Sequence, residues 1–87
     1  GQPGCLPAAK VGLRIMIQQE NWNGAAALLK QLEPINNDPE IFVLRGLYLY
    51  GTGKQGEAIQ SVNKAMQMDP ENLEAAALSK GWQKRAG

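Results

Sequence analysis

Residues 38–72 read DPEIFVLRGLYLYGTGKQGEAIQSVNKAMQMDPEN, and the pattern of this stretch decides the fold. The triplet Asp-Pro-Glu occurs at positions 38–40 and again 31 residues later, at positions 69–71. Two segments with the apolar spacing of helices lie between the copies. A return to the same turn chemistry after two helices is typical of a repeat protein. The stretch therefore predicts one helical hairpin of a repeated set.

Each Asp-Pro pair has the chemistry of a helix start. Proline is tolerated in a first helical turn because its missing N–H would have no intrahelical acceptor there. An aspartate just before the proline can cap the exposed amides of the same turn. We therefore predict that Asp38 and Asp69 each precede a helix.

The two segments between the triplets differ in how their apolar residues are arranged. From Glu40 to Tyr50 these residues are crowded enough to cover more than one face, as expected of a helix packed on two sides. The turn Gly51-Thr52-Gly53 ends this segment. Beyond it, apolar residues recur at spacings of three and four: Ala58, Ile59, Val62, Ala65 and Met66. This spacing predicts an amphipathic helix with one buried stripe.

Small residues indicate where these two helices approach each other. Gly46 lies in the middle of the first helix, where glycine costs about 1 kcal/mol relative to alanine, so we expect a neighbouring helix close by. Ala58 and Ala65, two turns apart on the second helix, allow the same close approach.

The stretch resembles the tetratricopeptide repeat family, whose helix-turn-helix unit of about 34 residues carries small residues at fixed positions. The matching residues are Phe42, Gly46, Leu49, Gly53, Ala58, Val62, Ala65 and Pro70. Arg45 departs from the family pattern, which normally has leucine at this position. The resemblance implies an all-α fold, an α-α superhelix of stacked hairpins whose first helices line a concave wall.

The rest of the chain predicts a second hairpin and a final helix. Apolar spacing on either side of Glu20-Asn21 indicates two helices, which the turn formers of residues 33–38 join to the central hairpin. When the hairpins are superimposed, Trp22 falls on Gln55, and Gly12 lies one residue from the position of Gly46. We predict a flexible leader at 1–6 and a single domain over 7–87. Its five helices span 7–19, 22–33, 39–51, 55–68 and 72–84. The unpaired last helix either covers the end of the stack or begins a further hairpin of a longer array.

Composition and charge exclude several functions. The chain has 87 residues, of which 44% are hydrophobic and 20% charged, as in an ordinary small globular domain. A net charge of +1 without a run of like charges gives no support for nucleic acid or a membrane as partner. No apolar stretch approaches the roughly 20 residues needed to cross a bilayer. Cys5 is the only cysteine, so we expect neither an intrachain disulfide nor a cysteine zinc site, and a cytoplasmic location is compatible with this.

The resemblance also implies which residues line the concave wall. They are Lys10, Arg14 and Ile17 on the first helix, Val43, Leu47 and Tyr50 on the third, and Glu74, Ala77 and Gly81 on the fifth. An apolar middle flanked by basic residues suits an extended peptide with hydrophobic side chains and some negative charge. The alternative interpretation is structural: Val43 and Leu47 belong to the core, and Lys10 and Arg14 form a solvated face.

The function that the resemblance implies is protein–protein interaction, including roles as a co-chaperone or assembly adaptor. Some members of the family hold the acidic C-terminus of heat-shock chaperones in a clamp of basic and amide side chains. Lys10 and Arg14 match two positions of the clamp, but Leu44, Glu74 and Leu78 replace others, so we do not predict carboxylate capture. The segment 44–50 also resembles a repeat of co-chaperones that join such arrays to a J domain.

Two other function classes are alternatives to peptide binding. The chain has no histidine, so the commonest general base and metal ligand is missing, and we predict no catalytic residue, metal or cofactor. The carboxylates of Glu20, Glu33, Asp38 and Glu40 lie at predicted helix ends, where capping and solvation explain them. The remaining alternative is a scaffold whose terminal helix, with Trp82, mediates homodimerisation or docking to a neighbouring domain.

Overall fold

A computed structural model describes residues 5–35 and 37–86, which form five α-helices and no strand. The helices are α1 (Cys5–Gln18), α2 (Trp22–Leu32), α3 (Pro39–Gly51), α4 (Gln55–Met68) and α5 (Leu73–Ala86). Consecutive helices pack as hairpins, and the predicted all-α class is confirmed. The predicted bounds of α3 and α4 agree with the structure, and those of the other helices differ by at most two residues.

The first helix begins earlier than the sequence predicts. Cys5 and Leu6, assigned to the flexible leader, belong to α1. The rest of the predicted leader, residues 1–4, lies outside the described residues. The spacing of the helix starts is regular, because α1, α3 and α5 begin 34 residues apart, at positions 5, 39 and 73.

The two Asp-Pro-Glu triplets have different roles. Asp38 caps α3, since its Oδ1 accepts a hydrogen bond of 3.0 Å from the backbone N–H of Glu40. Asp69 makes the same local bond, 3.2 Å from the N–H of Glu71, but its own N–H still bonds to Ala65 and completes α4. The chain turns there, and Asn72 caps α5 by accepting from the N–H of Ala75 at 3.0 Å. Asp69 therefore ends α4 and does not cap α5, so the expectation that the second triplet begins a helix is wrong: Asn72, three residues further on, occupies the capping position.

The turns inside the two hairpins have the same hydrogen bonds. In the first, Asn21 N–H donates to Met16 O at 2.8 Å, and Glu20 has a positive φ of 59°. In the second, Lys54 N–H donates to Leu49 O at 2.8 Å, and Gly53 has a φ of 91°. In each turn a residue with left-handed φ is followed by an N–H that donates to the carbonyl oxygen five residues earlier. This arrangement is the Schellman motif, which ends many helices. The two hairpins therefore have equivalent turns.

Helix α3 is the centre of the core and is covered on two flanks. One flank packs on α1 and α2 through a buried cluster: Leu13, Ala25, Leu29, Leu32, Ile41 and Leu44. The other flank packs on α4 and α5 through Phe42, Val43, Ala65 and Ala75, and a third cluster of Ala58, Val62 and Trp82 continues it. Leu47 contacts all three clusters. Full burial of a leucine-sized side chain is worth roughly 1.5–3 kcal/mol, so each hairpin gains most of its stability by covering its neighbour.

Gly46 allows α3 and α4 to approach each other, as the sequence predicts. A Cβ atom at this position would lie 2.7 Å from Val62 Cγ1 and 3.2 Å from the carbonyl oxygen of Ala58. The same place is within 3.5 Å of the ring of Trp82. Because the nearest obstacles include backbone and a fully buried valine, an added methyl group cannot be accommodated without moving a helix.

Each tryptophan is packed against a tyrosine of α3. Trp22 meets Tyr48 edge to face, with ring centroids 6.0 Å apart, and lies directly against Gly51. Trp82 stacks on Tyr50, with centroids 4.5 Å apart and an angle of 8° between the rings. These contacts attach α2 and α5 to opposite flanks of the central helix. No helix in the described ranges is long and apolar enough to span a membrane.

The substitution Gly46→Ala tests the close approach of α3 and α4. We expect it to lower the free energy of unfolding by up to about 2 kcal/mol, because an overpacking cost of about 1–3 kcal/mol outweighs the gain of about 1 kcal/mol in helix propensity. Gly12→Ala is the matched control: it is also inside a helix, no atom lies within 4 Å of its added Cβ, and it should be neutral or stabilising. Urea unfolding followed by circular dichroism measures both. Equal stabilisation of the two variants would contradict the packing described here.

Candidate binding face

Five charged side chains from α1, α3 and α5 meet along one face of the molecule. This charged strip consists of Lys10, Arg14, Asp38, Glu40 and Glu74. At one end of the strip, Lys10 Nζ lies 2.9 Å from Asp38 Oδ2 and 2.9 Å from Glu40 Oε1. Since Asp38 also caps α3, this lysine holds α1 against the start of the central helix.

Arg14 connects the first helix to the last. Its Nη1 and Nη2 donate to the two carboxylate oxygens of Glu74 at 2.7 and 2.9 Å, which is the bidentate geometry that suits a guanidinium. Nη2 also lies 3.8 Å from Glu40 Oε2. Glu40 therefore stands between Lys10 and Arg14, and the strip runs without a break across α1, α3 and α5.

The strip is only partly shielded from water. The Lys10 and Asp38 side chains are 18% and 19% exposed, whereas Glu40 and Glu74 are 45% and 42% exposed. Exposed ion pairs contribute about 0–1 kcal/mol each, so the strip positions the helices more than it stabilises them.

The ion pairs also act on the titration of the two cations. Hydrogen bonds to Asp38 and then to Glu40 raise the pKa of Lys10, and partial burial opposes them. The bidentate hydrogen bonds to Glu74 raise the pKa of Arg14. Both side chains are therefore held in the cationic form.

The apolar residues expected on this face are partly covered. Ile17 and Leu47 are half-buried and pack against the core. Tyr50 is half-buried beneath Trp82, and its hydroxyl accepts a hydrogen bond of 3.3 Å from Arg85 Nη1. Leu47 lies two turns after Glu40 on α3 and Tyr50 nearly one turn further on, so their accessible edges follow the side of α3 that carries the charged strip.

Val43 does not lie on the surface. Its side chain is fully buried with Phe42, Ala65 and Ala75, so the expectation that Val43 lines the binding wall is wrong. The reason is that α5 covers this side of α3, which the spacing within α3 does not reveal. The structural alternative for Val43 is the correct interpretation.

The structure brings together three of the site residues named from the sequence and adds two. Lys10, Arg14 and Glu74 are part of one network, although the last is 60 residues from Arg14. Asp38 and Glu40 complete the network, and the sequence indicated them only as helix-end residues. No local signal identifies them, because their partners are on α1.

The charges of the strip change the expectation for its ligand. Two cations and three carboxylates meet here, and each cation is paired within the chain. The basic groups therefore give no preference for an acidic peptide. Within the described ranges, no three acidic, cysteine or histidine side chains lie together in a way that could hold a metal ion.

No family model matches the chain, and no curated protein or solved structure matches it either.

The pH dependence of stability tests the pairing of Lys10. Its pKa in the folded chain lies above the ordinary value of 10.5, so its stabilising effect is complete below that pH and is lost as the pH rises through the folded pKa. We expect wild type to be more stable than Lys10→Met by at most about 1 kcal/mol at pH 8 and the difference to shrink by pH 11.

Urea unfolding of both proteins across this pH range measures the effect. Lys54→Met is the matched control, because Lys54 is exposed and makes no ion pair within the described part of the chain. Its difference from wild type should not change with pH. A constant difference for Lys10→Met as well would contradict the role given to the ion pairs.

Proposed function

We propose that this chain is a protein-interaction module of the tetratricopeptide repeat type, which binds a peptide or protein segment on the face formed by α1, α3 and α5. The observation that supports this most is the bidentate pair between Arg14 and Glu74, with Glu40 between them. It aligns the first helix of each hairpin with α5 along one surface. The equal spacing of the three helix starts also fits the family's repeat length.

The chemistry of this face suits reversible binding. The ion pairs of the strip are exposed and individually weak, so an incoming carboxylate or ammonium group can exchange with them at little cost. The edges of Leu47 and Tyr50 provide apolar contact beside them, and tyrosine is enriched at binding surfaces. A segment with both charged and apolar side chains matches this arrangement better than a purely acidic one.

The same chemistry bears on the type of partner. Because Lys10 and Arg14 are already bound to carboxylates of their own chain, capture of an acidic C-terminus is not part of the proposal. A role as a co-chaperone or assembly adaptor remains within it, on the strength of the family resemblance alone. Such roles require only that a segment of another protein bind the α1, α3 and α5 face.

Selection of a random peptide library on the immobilised domain, followed by NMR titration with the recovered peptides, tests the proposal. We expect amide shifts to concentrate on α1, α3 and α5. Glu74→Lys should change the affinity of the peptides by about tenfold or more, because it reverses a charge on the face. Glu20→Lys, an exposed position in the turn between α1 and α2, makes the same change of charge away from the face and should leave the affinity within about twofold.

Circular dichroism melts of both variants check that they remain folded. Recovery of no peptide, or shifts confined to α2 and α4, would contradict the proposal. Equal effects of the two substitutions would show that net charge alone governs binding.

A second candidate function is self-association or docking to a neighbouring domain, and one observation favours it. Val11 and Ile15, one turn apart on α1, are 59% and 46% exposed. Trp82, which the sequence offered for this role, is only 7% exposed and is packed on α3 and α4. The contact surface in this alternative is therefore on α1.

Sedimentation equilibrium over a range of concentrations tests the alternative. Self-association through α1 predicts a dimer in wild type that Ile15→Lys weakens by about tenfold, because a charge would enter an apolar contact. Lys80→Gln, an exposed change on α5, is the control and should have no effect. A monomer at all concentrations would remove self-association.

A further inference from the structure

Arg45 lies on the side of α3 opposite to the charged strip. At 3.6 residues per turn, its Cα is about 160° around the helix from that of Leu47, which borders the strip. Two surface clefts meet here. One, of about 350 Å³, lies between α2 and α3, and the other, of about 380 Å³, lies between α3 and α4. Arg45 and Leu49 line both clefts and form the ridge between them.

Within residues 5–35 and 37–86, the guanidinium of Arg45 has an aromatic partner but no carboxylate partner. Its Cζ lies 5.1 Å from the centre of the Phe42 ring, a cation–π contact that restrains the side chain. Among the described residues it makes neither an ion pair nor a hydrogen bond, although Arg14 and Lys10 on the other face are both paired. None of its nitrogen atoms is buried without a partner, so they are accessible to water. A half-buried, restrained guanidinium with accessible donors is suited to bind a carboxylate.

The surroundings of Arg45 define what else the partner needs. Leu29 and Tyr48 give the first cleft an apolar floor, and Phe42 gives one to the second. At the rims, Lys30 and Lys64 are balanced in part by Glu33 and Glu57, which leaves one net positive charge at the clefts when Arg45 is included. The charge at the centre is positive and the floor on both sides is apolar.

We propose that these two clefts form a second docking site, distinct from the α1, α3 and α5 face. Its occupant is a segment of another protein that places the carboxylate of an aspartate or glutamate on Arg45 and one apolar side chain in each cleft. The positive centre and the apolar floors are complementary to this pattern. The site does not depend on the proposed function of the other face.

Selection from a random dodecapeptide library tests the site, with wild type as target and Arg45→Leu as counter-target. Leucine removes the charge and keeps an apolar side chain that suits a helix, so the variant should fold, and its melt checks this. We expect the enriched peptides to carry Asp or Glu between two apolar residues. The peptides should bind the Arg45→Leu variant at least about tenfold more weakly than wild type. Replacing the Asp or Glu of each peptide by Asn or Gln should weaken its binding to wild type by a similar factor.

Two further variants separate this site from its alternatives. Arg14→Leu should leave binding of these peptides unchanged, which distinguishes a failure here from a failure of the other face. Arg45→Glu should weaken binding of the original peptide, and a peptide with Lys in place of its Asp or Glu should recover part of the affinity for this variant. Such recovery is expected of a direct charge pair and not of a structural role. If Arg45→Leu does not fold, this pair carries the test.

Three results would overturn the proposal. One is the absence of enriched peptides, and another is enrichment of peptides without an acidic residue. The third is a change in the sedimentation of the chain itself on Arg45→Leu, because the occupant of the clefts would then be a second copy of this chain.

Discussion

The contact between α3 and α4 at Gly46 is the constraint on which the structure depends. With no side chain at this position, the buried Val62 and the backbone of Ala58 can lie directly against α3, and Trp82 can reach the same place from α5. An alanine here would separate α3 from α4 and disturb the packing of Trp82, which attaches α5. The cost of glycine inside a helix, about 1 kcal/mol, is small compared with the burial that it allows on both neighbouring helices.

Helix α3 is buried on two flanks, and two of its sides carry a charged side chain that solvent can reach. One includes Glu40 and the edge of Leu47, and its charges are satisfied by Lys10 and by the network that continues to α5. The other includes Arg45, whose charge has no acidic partner in the described part of the chain. The central helix therefore offers two chemically different surfaces: one whose cations are paired with carboxylates in exchangeable ion pairs, and one that carries a positive charge between apolar clefts.

Much of the fold could be predicted from residues 38–72, because helix periodicity, turn chemistry and the position of Gly46 are local properties. The site was predictable only in part. Lys10, Arg14 and Glu74 were named from family positions, but the pairing of Arg14 with Glu74 and of Lys10 with Asp38 was not, because the partners are far apart in sequence. Val43 was misplaced for a related reason: its spacing is compatible with either flank, and only the position of α5 makes it core.

The sequence by itself determined where the helices lie and which residues are apolar enough to be buried, since hydrogen bonds within a helix and caps such as Asp38 involve residues close in the chain. It also determined that the hairpins must stack, because each has an apolar side that it cannot cover alone. Only the tertiary structure decided that Lys10 meets Asp38 and Glu40, that Arg14 meets Glu74, and that Arg45 has no carboxylate beside it in the described part of the chain. These outcomes depend on which side chains from different parts of the chain come within a few ångströms of one another. Such meetings are set by packing, not by periodicity.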